Sequence, residues 1–262
     1  PFFVDTSLPL CAITHREAQM ENFIHHKKIA YLLNKIDSYL GYHIQAIPMH
    51  PLESAYRQCG VQLVDDKWTF QYVPGDIPSQ DIICHELMHI VLSIQGWPVI
   101  AARTGLPSPV HTVLGLLAPI GEHTCIYGMV SALGYNPIPN DAGSTPKDLI
   151  HSMIGQQLVA AFAPVQRPYA GAIFLCEALL SPHSEEDFDN IILSAQKWMP
   201  ESYLMAMRMA SIYKNNFPIT PDNHISTLRE AMGVVALPED IVAPIYPQKI
   251  GQNFFDKIMN NI

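Results

Sequence analysis

The chain has 262 residues, 48% of them hydrophobic, and a formal net charge of −9. This composition can fill a hydrophobic core, which excludes a disordered chain, and the length suits one large domain or two small ones. The acidic balance, 24 Asp and Glu against 15 Lys and Arg, argues against a surface that neutralises phosphates. We therefore expect a globular protein that has no nucleic-acid partner.

The longest apolar stretches, 112–120 and 158–165, are shorter than the roughly 18 to 20 residues that cross a bilayer. The sequence therefore predicts no membrane span. The five cysteines are widely spaced without a C-x-x-C pair, which argues against a disulfide scaffold or a ribbon-type zinc site. The chain begins at Pro1 rather than Met, as a processed chain would, so a cytoplasmic and a secreted location both stay open.

The N-terminal third combines a helix with β-leaning segments. A capping-box pattern at 14–17 and the apolar positions that follow predict an amphipathic helix that runs to about Leu40. Strand-like segments at 42–47, 61–64 and 68–73, with a short helix or turn around 52–58, predict a small sheet.

Two buried helices are predicted next. The segment from about Pro78 to Gln95 is apolar nearly all the way round a helix, which places it inside the protein. The Gly- and Pro-rich stretch 97–119 predicts a long connection with a short helix at 113–117. The second buried helix runs from about Pro119 to Leu133 and ends before Gly134.

The remainder of the chain is predicted to be helical. Two helices are predicted to begin at 145–148 and at 184–187, and four further helical segments are predicted at 170–180, 201–213, 221–232 and 251–262. The fold class is therefore α+β, mostly helical with a small N-terminal β-sheet. We expect a single domain over 1–262. An alternative division is a sheet and buried-helix part over 1–96 and a helical part over 97–262.

The first buried helix contains the pattern H-E-x-x-H, as His85, Glu86 and His89. Residues four apart lie on one helical face, so the two imidazoles can meet one tetrahedral metal ion, while Glu86 can take a proton from water beside it. With 12 His in the chain, composition alone predicts only about 0.02 such matches. The alternative is two core histidines that are satisfied by hydrogen bonds, with Glu86 facing solvent.

These five residues in their helical context resemble the active-site helix of the zincin metallopeptidases, over about 68–133. Leu92 and Gln95 stand where metzincins carry Gly and His, so the resemblance is to the gluzincins, in which a Glu from a following helix completes the site. Glu122 fits that position, while His123, His111 or another donor stays an alternative. Ile126 stands where thermolysin-like gluzincins carry the Asp that orients a ligand histidine, so either that supporting group comes from elsewhere in the chain or the resemblance is to a more divergent, minimal gluzincin.

The resemblance implies one Zn²⁺ ion held by His85, His89 and Glu122, and an open fourth position for water. It also implies that Glu86 acts as general base in the hydrolysis of a peptide or protein substrate. His123, Tyr127 and His111 are candidates for binding the oxyanion or the substrate. By the same resemblance, the strand at 68–73 is the edge strand that binds the peptide.

The alternative function is a non-catalytic zinc-binding or regulatory protein on a zincin scaffold. Four protein ligands without an open water position would favour it. A helical interaction protein without metal is a third hypothesis, which stoichiometric zinc would exclude.

Overall fold

The computed structural model describes residues 18–49, 59–103, 106–137, 163–182, 185–246, 251 and 253–261. Within these ranges helices predominate and the strands form two small sheets, so the fold is α+β, as predicted. The predicted segments at 52–58 and 145–148, the capping box at 14–17 and the start at 184 lie outside the described residues.

The described helices, numbered in chain order, are α1 Lys27–Leu40, α2 Gln80–Ile94, α3 Ser108–Leu117, α4 Ile120–Ala132, α5 Arg167–Leu180, α6 Glu185–Trp198, α7 Pro200–Asn215, α8 His224–Val234 and α9 Phe254–Met259. The strands are β1 Ala18–Gln19, β2 Gln45–Pro48, β3 Cys59–Val64, β4 Lys67–Tyr72, β5 Val99–Ala102 and β6 Val242–Ile245. Two short 3₁₀ helices cover Met20–Phe23 and Glu239–Ile241.

The start of the first helix differs from the prediction. Ala18 and Gln19 pair with β2 in an antiparallel bridge, and a paired strand cannot share the backbone conformation of a helix. His26, immediately before α1, is also extended, with φ −96° and ψ 131°. The helix therefore begins at Lys27, and its end at Leu40 agrees with the prediction.

The N-terminal sheet has the strand order β1-β2-β4-β3. A tight turn at Asp65 and Asp66, both at positive φ, joins β3 to β4 as an antiparallel hairpin, and β4 pairs with β2 in parallel on its other side. The segment predicted as the edge strand, 68–73, is therefore interior, and β3 forms the edge. That prediction was wrong because a strand's partners depend on the rest of the sheet.

The stretch after α2 also differs from the predicted connection. Val99–Ala102 forms β5, which pairs antiparallel with β6 from the C-terminal part of the chain. The helix expected at 113–117 begins earlier, at Ser108, where Pro109 occupies one of the first helical positions. Neither strand of this pair was expected, because each is short and finds its partner far away in the sequence.

Helix α2 lies at the centre of the fold. The Ser79 side chain caps it by accepting a hydrogen bond from the Ile82 backbone N–H at 3.3 Å. The helix packs against α1, α4, α9 and β3, so apolar residues on most of its circumference are buried, as the sequence predicts. This packing fixes the helix that carries the H-E-x-x-H residues.

The later helices follow the predicted segments with small shifts. Those expected at 170–180 and 201–213 are the middles of α5 and α7, whereas α8 begins only at His224 and α9 covers only Phe254–Met259. The stretch from Pro109 to Ala132, which spans α3 and α4, is long and apolar enough to cross a membrane by length and composition alone. Half of its most apolar part is buried inside the fold, and buried core helices of soluble proteins have the same length and composition.

The packing of α2 predicts which leucines stabilise the fold. Leu87 has no exposed surface, so Leu87→Ala should lower the free energy of unfolding by about 2–5 kcal/mol through lost burial and a cavity. Leu204 on α7 is 61% exposed, and Leu204→Ala should change that free energy by less than about 0.5 kcal/mol. Urea titrations of both variants measure the free energy of unfolding. An equal decrease in both variants would contradict the burial of α2 at the centre of the fold.

Candidate metal centre

Helix α2 places His85 and His89 side by side. They are four positions apart on one helix, and their ring centroids are 5.3 Å apart with the planes at 68°. Both residues are half-buried, and the His89 side chain is 13% exposed. The spacing predicted from the sequence is therefore present in the fold.

A third imidazole comes from α4, which packs against α2. The ring centroid of His123 lies 4.9 Å from that of His85 and 5.1 Å from that of His89, so the three rings form a nearly equilateral triangle. Each of the three residues has a potential ligand atom within 4.8 Å of those of the other two. The structure thus groups His85, His89 and His123 as a candidate ligand set.

The position of Glu122 differs from the expected ligand role. Its Oε2 lies 2.5 Å from Nδ1 of His89, on the opposite side of that ring from Nε2, and Glu122 is not part of the ligand group. A carboxylate in this position holds a metal-binding imidazole in one orientation and tautomer. The described geometry therefore places Glu122 behind His89, and it brings His123, one of the sequence alternatives, into the candidate ligand set as its third member.

Glu177 on α5 contacts His123 as Glu122 contacts His89, through Nδ1 of the ring. Its Oε1 lies 2.5 Å from Nδ1 of His123 and accepts a hydrogen bond from the Tyr127 hydroxyl at 3.3 Å. Ser181 donates to that hydroxyl at 3.0 Å. Sequence reasoning missed Glu177, although an isolated acid in the apolar run 170–180 was a usable signal.

These contacts shift the protonation of the buried groups. Burial lowers the pKa of His85 well below 6.5, and the neighbouring His123 and His89 lower it further. Burial also acts to lower the pKa of His89, but the hydrogen bond and the charge of Glu122 outweigh it and raise that pKa. The pKa of Glu122 is lowered, because His89 outweighs the opposing effect of burial. The contact between His89 and Glu122 therefore favours the charged form of both groups, whereas the surroundings of His85 favour its neutral form.

Glu86 points towards the edge strand of the sheet. Its Oε2 accepts a hydrogen bond from the Val61 backbone N–H at 3.1 Å, and its charge acts on His89. Because Val61 lies opposite Phe70 in β4 but donates to Glu86, its N–H points away from β4. Glu86 thus lies between the imidazole cluster and the outer edge of β3.

The other two candidates for binding an oxyanion have different surroundings. The Tyr127 hydroxyl is engaged by Glu177 and Ser181, and burial together with the Glu177 charge raises its pKa well above 10. His111 is exposed on α3, and the contacts of the described residues do not join it to the cluster. Tyr127 therefore supports the centre from behind, and the structure gives His111 no place in it.

The donor set fits a zinc ion. Nε2 of His89 and Nε2 of His123 are 3.3 Å apart, which matches the roughly 3.3 Å between two nitrogens that each lie about 2.0–2.1 Å from a tetrahedral zinc. Their Nδ1 atoms contact carboxylates, an arrangement typical of zinc-bound histidines. A second acid-rich group, at Glu21, Asp37 and His43, is largely exposed and lacks such support.

Comparisons of the sequence with family models, with curated proteins and with solved structures find no match. No relative therefore contributes a function. The geometry of the cluster and the chemistry of its side chains carry the functional argument.

The ligand assignment predicts the effect of removing one imidazole. Removing a residue that only supports a ligand typically weakens metal binding by roughly 10–100-fold. Because His123 is assigned as a ligand itself, His123→Ala should weaken zinc binding by more than that. The same substitution at the exposed His111 should leave the affinity unchanged, which makes it a matched control. Competition with a chromophoric zinc chelator measures both variants. Tight zinc binding by the His123 variant, together with loss of binding in Glu122→Gln, would restore Glu122 as the third ligand.

Proposed function

We propose that the protein is a zinc-dependent peptidase of the zincin type, with His85, His89 and His123 as ligands and Glu86 as general base. The observation that supports this most directly is the convergence of three imidazoles next to a carboxylate on the helix that carries H-E-x-x-H. Zinc bound there would supply a Lewis acid that acidifies water and polarises a carbonyl group.

The number of ligands favours a catalytic site over a structural one. Within the described parts of the chain, the ligand group contains three side chains, whereas structural zinc sites use four. The side chains of His89 and His123 are each 13% exposed, so the centre can be reached from solvent. Three ligands in an accessible site leave room for water and substrate.

Glu86 has the position that a general base requires. It follows His85 directly in α2, and one of its oxygens is fixed by the Val61 N–H, which leaves the other oxygen free to take a proton from water. After attack on the carbonyl group, the same carboxyl can deliver that proton to the leaving amine. The hydrogen bond to β3 restricts the rotation of the side chain during both transfers.

The edge of β3 favours a peptide as substrate. The pairing of Val61 with Phe70 and of Leu63 with Trp68 turns the backbone groups of Val61 and Leu63 away from β4. Because Glu86 already accepts from the Val61 N–H, an extended peptide would pair with this edge through the Val61 carbonyl and the backbone groups of Leu63. Because Val61 contacts Glu86, a peptide on this edge would run past the general base, which is the arrangement that hydrolysis needs.

The proposal predicts a separation of binding from catalysis at Glu86. Glu86→Gln should keep zinc bound, because no ligand is altered, and should lower peptide hydrolysis by about 10²–10⁴-fold through loss of the base. Glu201→Gln, an identical change at an exposed position on α7, should leave hydrolysis unchanged.

Cleavage of a casein or mixed-peptide substrate, read by mass spectrometry beside zinc content, measures the effect. Full activity in the Glu86 variant would refute the assigned base. A wild-type protein that binds zinc and cleaves no peptide in this mixture would favour the non-catalytic alternative.

A further inference from the structure

A fully buried histidine lies behind the proposed zinc centre. His224 is the first residue of α8 and has no exposed surface. Neither of its ring nitrogens has a hydrogen-bond partner among the described residues. Because a buried polar group without a partner is costly, an unpartnered imidazole at this depth calls for an explanation.

The polar atom that His224 faces belongs to Glu122. Nε2 of His224 lies 3.9 Å from Oε1 of Glu122, while the other oxygen, Oε2, contacts His89. The carboxylate therefore lies between two imidazoles, one in the ligand group and one behind it. A shift of less than an ångström would bring the 3.9 Å contact into the usual range of a hydrogen bond.

The packing around His224 holds its ring towards this carboxylate. A Cβ added at Gly121 would lie 2.6 Å from Nδ1 of His224, so the ring occupies space that only glycine leaves open on α4. On another side, the ring centroid of Trp97 lies 5.0 Å from that of His224. The imidazole is thus held between α4 and Trp97 with little freedom to turn away.

The segment before α8 fixes the backbone of His224. The Asn223 side chain accepts a hydrogen bond from the Thr220 N–H at 2.7 Å and donates to the carbonyl groups of Asn216 and Pro218. The His224 N–H itself donates to the Thr220 carbonyl at 2.9 Å. These hydrogen bonds fix the backbone from which the His224 side chain extends, and a residue that positions another group needs such a fixed backbone.

We infer that His224 is a positioning residue that donates a hydrogen bond from Nε2–H to Oε1 of Glu122 and thereby holds Oε2 on His89. A carboxylate only accepts hydrogen bonds, so it favours the tautomer that has its proton on Nε2. The inference rests on the proposed zinc centre and extends it by one layer, from ligand to carboxylate to buried imidazole. Its consequence is that zinc affinity depends on a residue that does not touch the metal.

Two substitutions at one position test the inference. His224→Phe keeps a ring of similar size but removes the donor, and it should weaken zinc binding by about 10–100-fold. His224→Gln keeps an N–H donor near the position of Nε2 and should restore most of that loss. Affinities come from competition with a zinc chelator, and the thermal unfolding of the metal-free proteins shows whether both variants are folded.

A second pair of variants approaches the contact from α4. Gly121→Ala should push the His224 ring away and weaken zinc binding, while having little further effect in the His224→Phe background. Gly128→Ala on the same helix is the matched control, because a Cβ there meets nothing within 4 Å, and it should leave the affinity unchanged.

The outcomes separate this inference from the proposed function. Weaker zinc binding in the Phe variant, with recovery in the Gln variant and coupling to Gly121, supports it. If the folded Phe variant binds zinc as tightly as the wild type does, or if Phe and Gln are equally weak, the inference fails while the zinc centre stands. A wild-type protein that binds no zinc overturns both.

Discussion

The centre depends on the burial of imidazoles against carboxylates. Charged groups in a protein interior are stable only when they are paired, and here the two imidazoles of His89 and His123 each contact a carboxylate from a neighbouring position in the fold. Glu122 comes from the same helix as His123 but supports His89, whereas Glu177 comes from α5. The helices that carry these groups are therefore joined through the centre as well as through their apolar faces.

The placement of the candidate ligands His85 and His89 could be predicted from the sequence because their geometry is local. A spacing of four residues fixes two side chains on one helical face regardless of the rest of the chain, and the Ser79 cap and the apolar residues around it identify the helix. Glu122 and His123 are a different case. They are neighbours on α4, about 100° apart around the helix, so only the packing of α4 on α2 decides which of them faces the cluster.

Glu177 and His224 required the tertiary structure. Glu177 lies on α5, whose contact with the centre depends on how that helix packs, and His224 begins a helix that the sequence places three residues earlier. The position of the edge strand also depends on the tertiary structure. Alternating residues indicate the strands β3 and β4, but they do not indicate that β2 pairs in parallel with β4 and so leaves β3 at the edge of the sheet. Local patterns thus identified the two histidines of α2 in the candidate site, and long-range packing determined which groups contact them.

The β5–β6 ribbon has a consequence for the order in which the protein can assemble. Residues 99–102 leave the ribosome well before their partners at 242–245, so β5 cannot pair until that later segment has been synthesised. Contacts between such distant segments form late and slow the folding of a domain. His224 and Glu177 also belong to the later part of the chain. The H-E-x-x-H helix is therefore synthesised well before the groups that surround it in the folded protein, and the cluster proposed to bind zinc reaches its full surroundings only after these later segments are made.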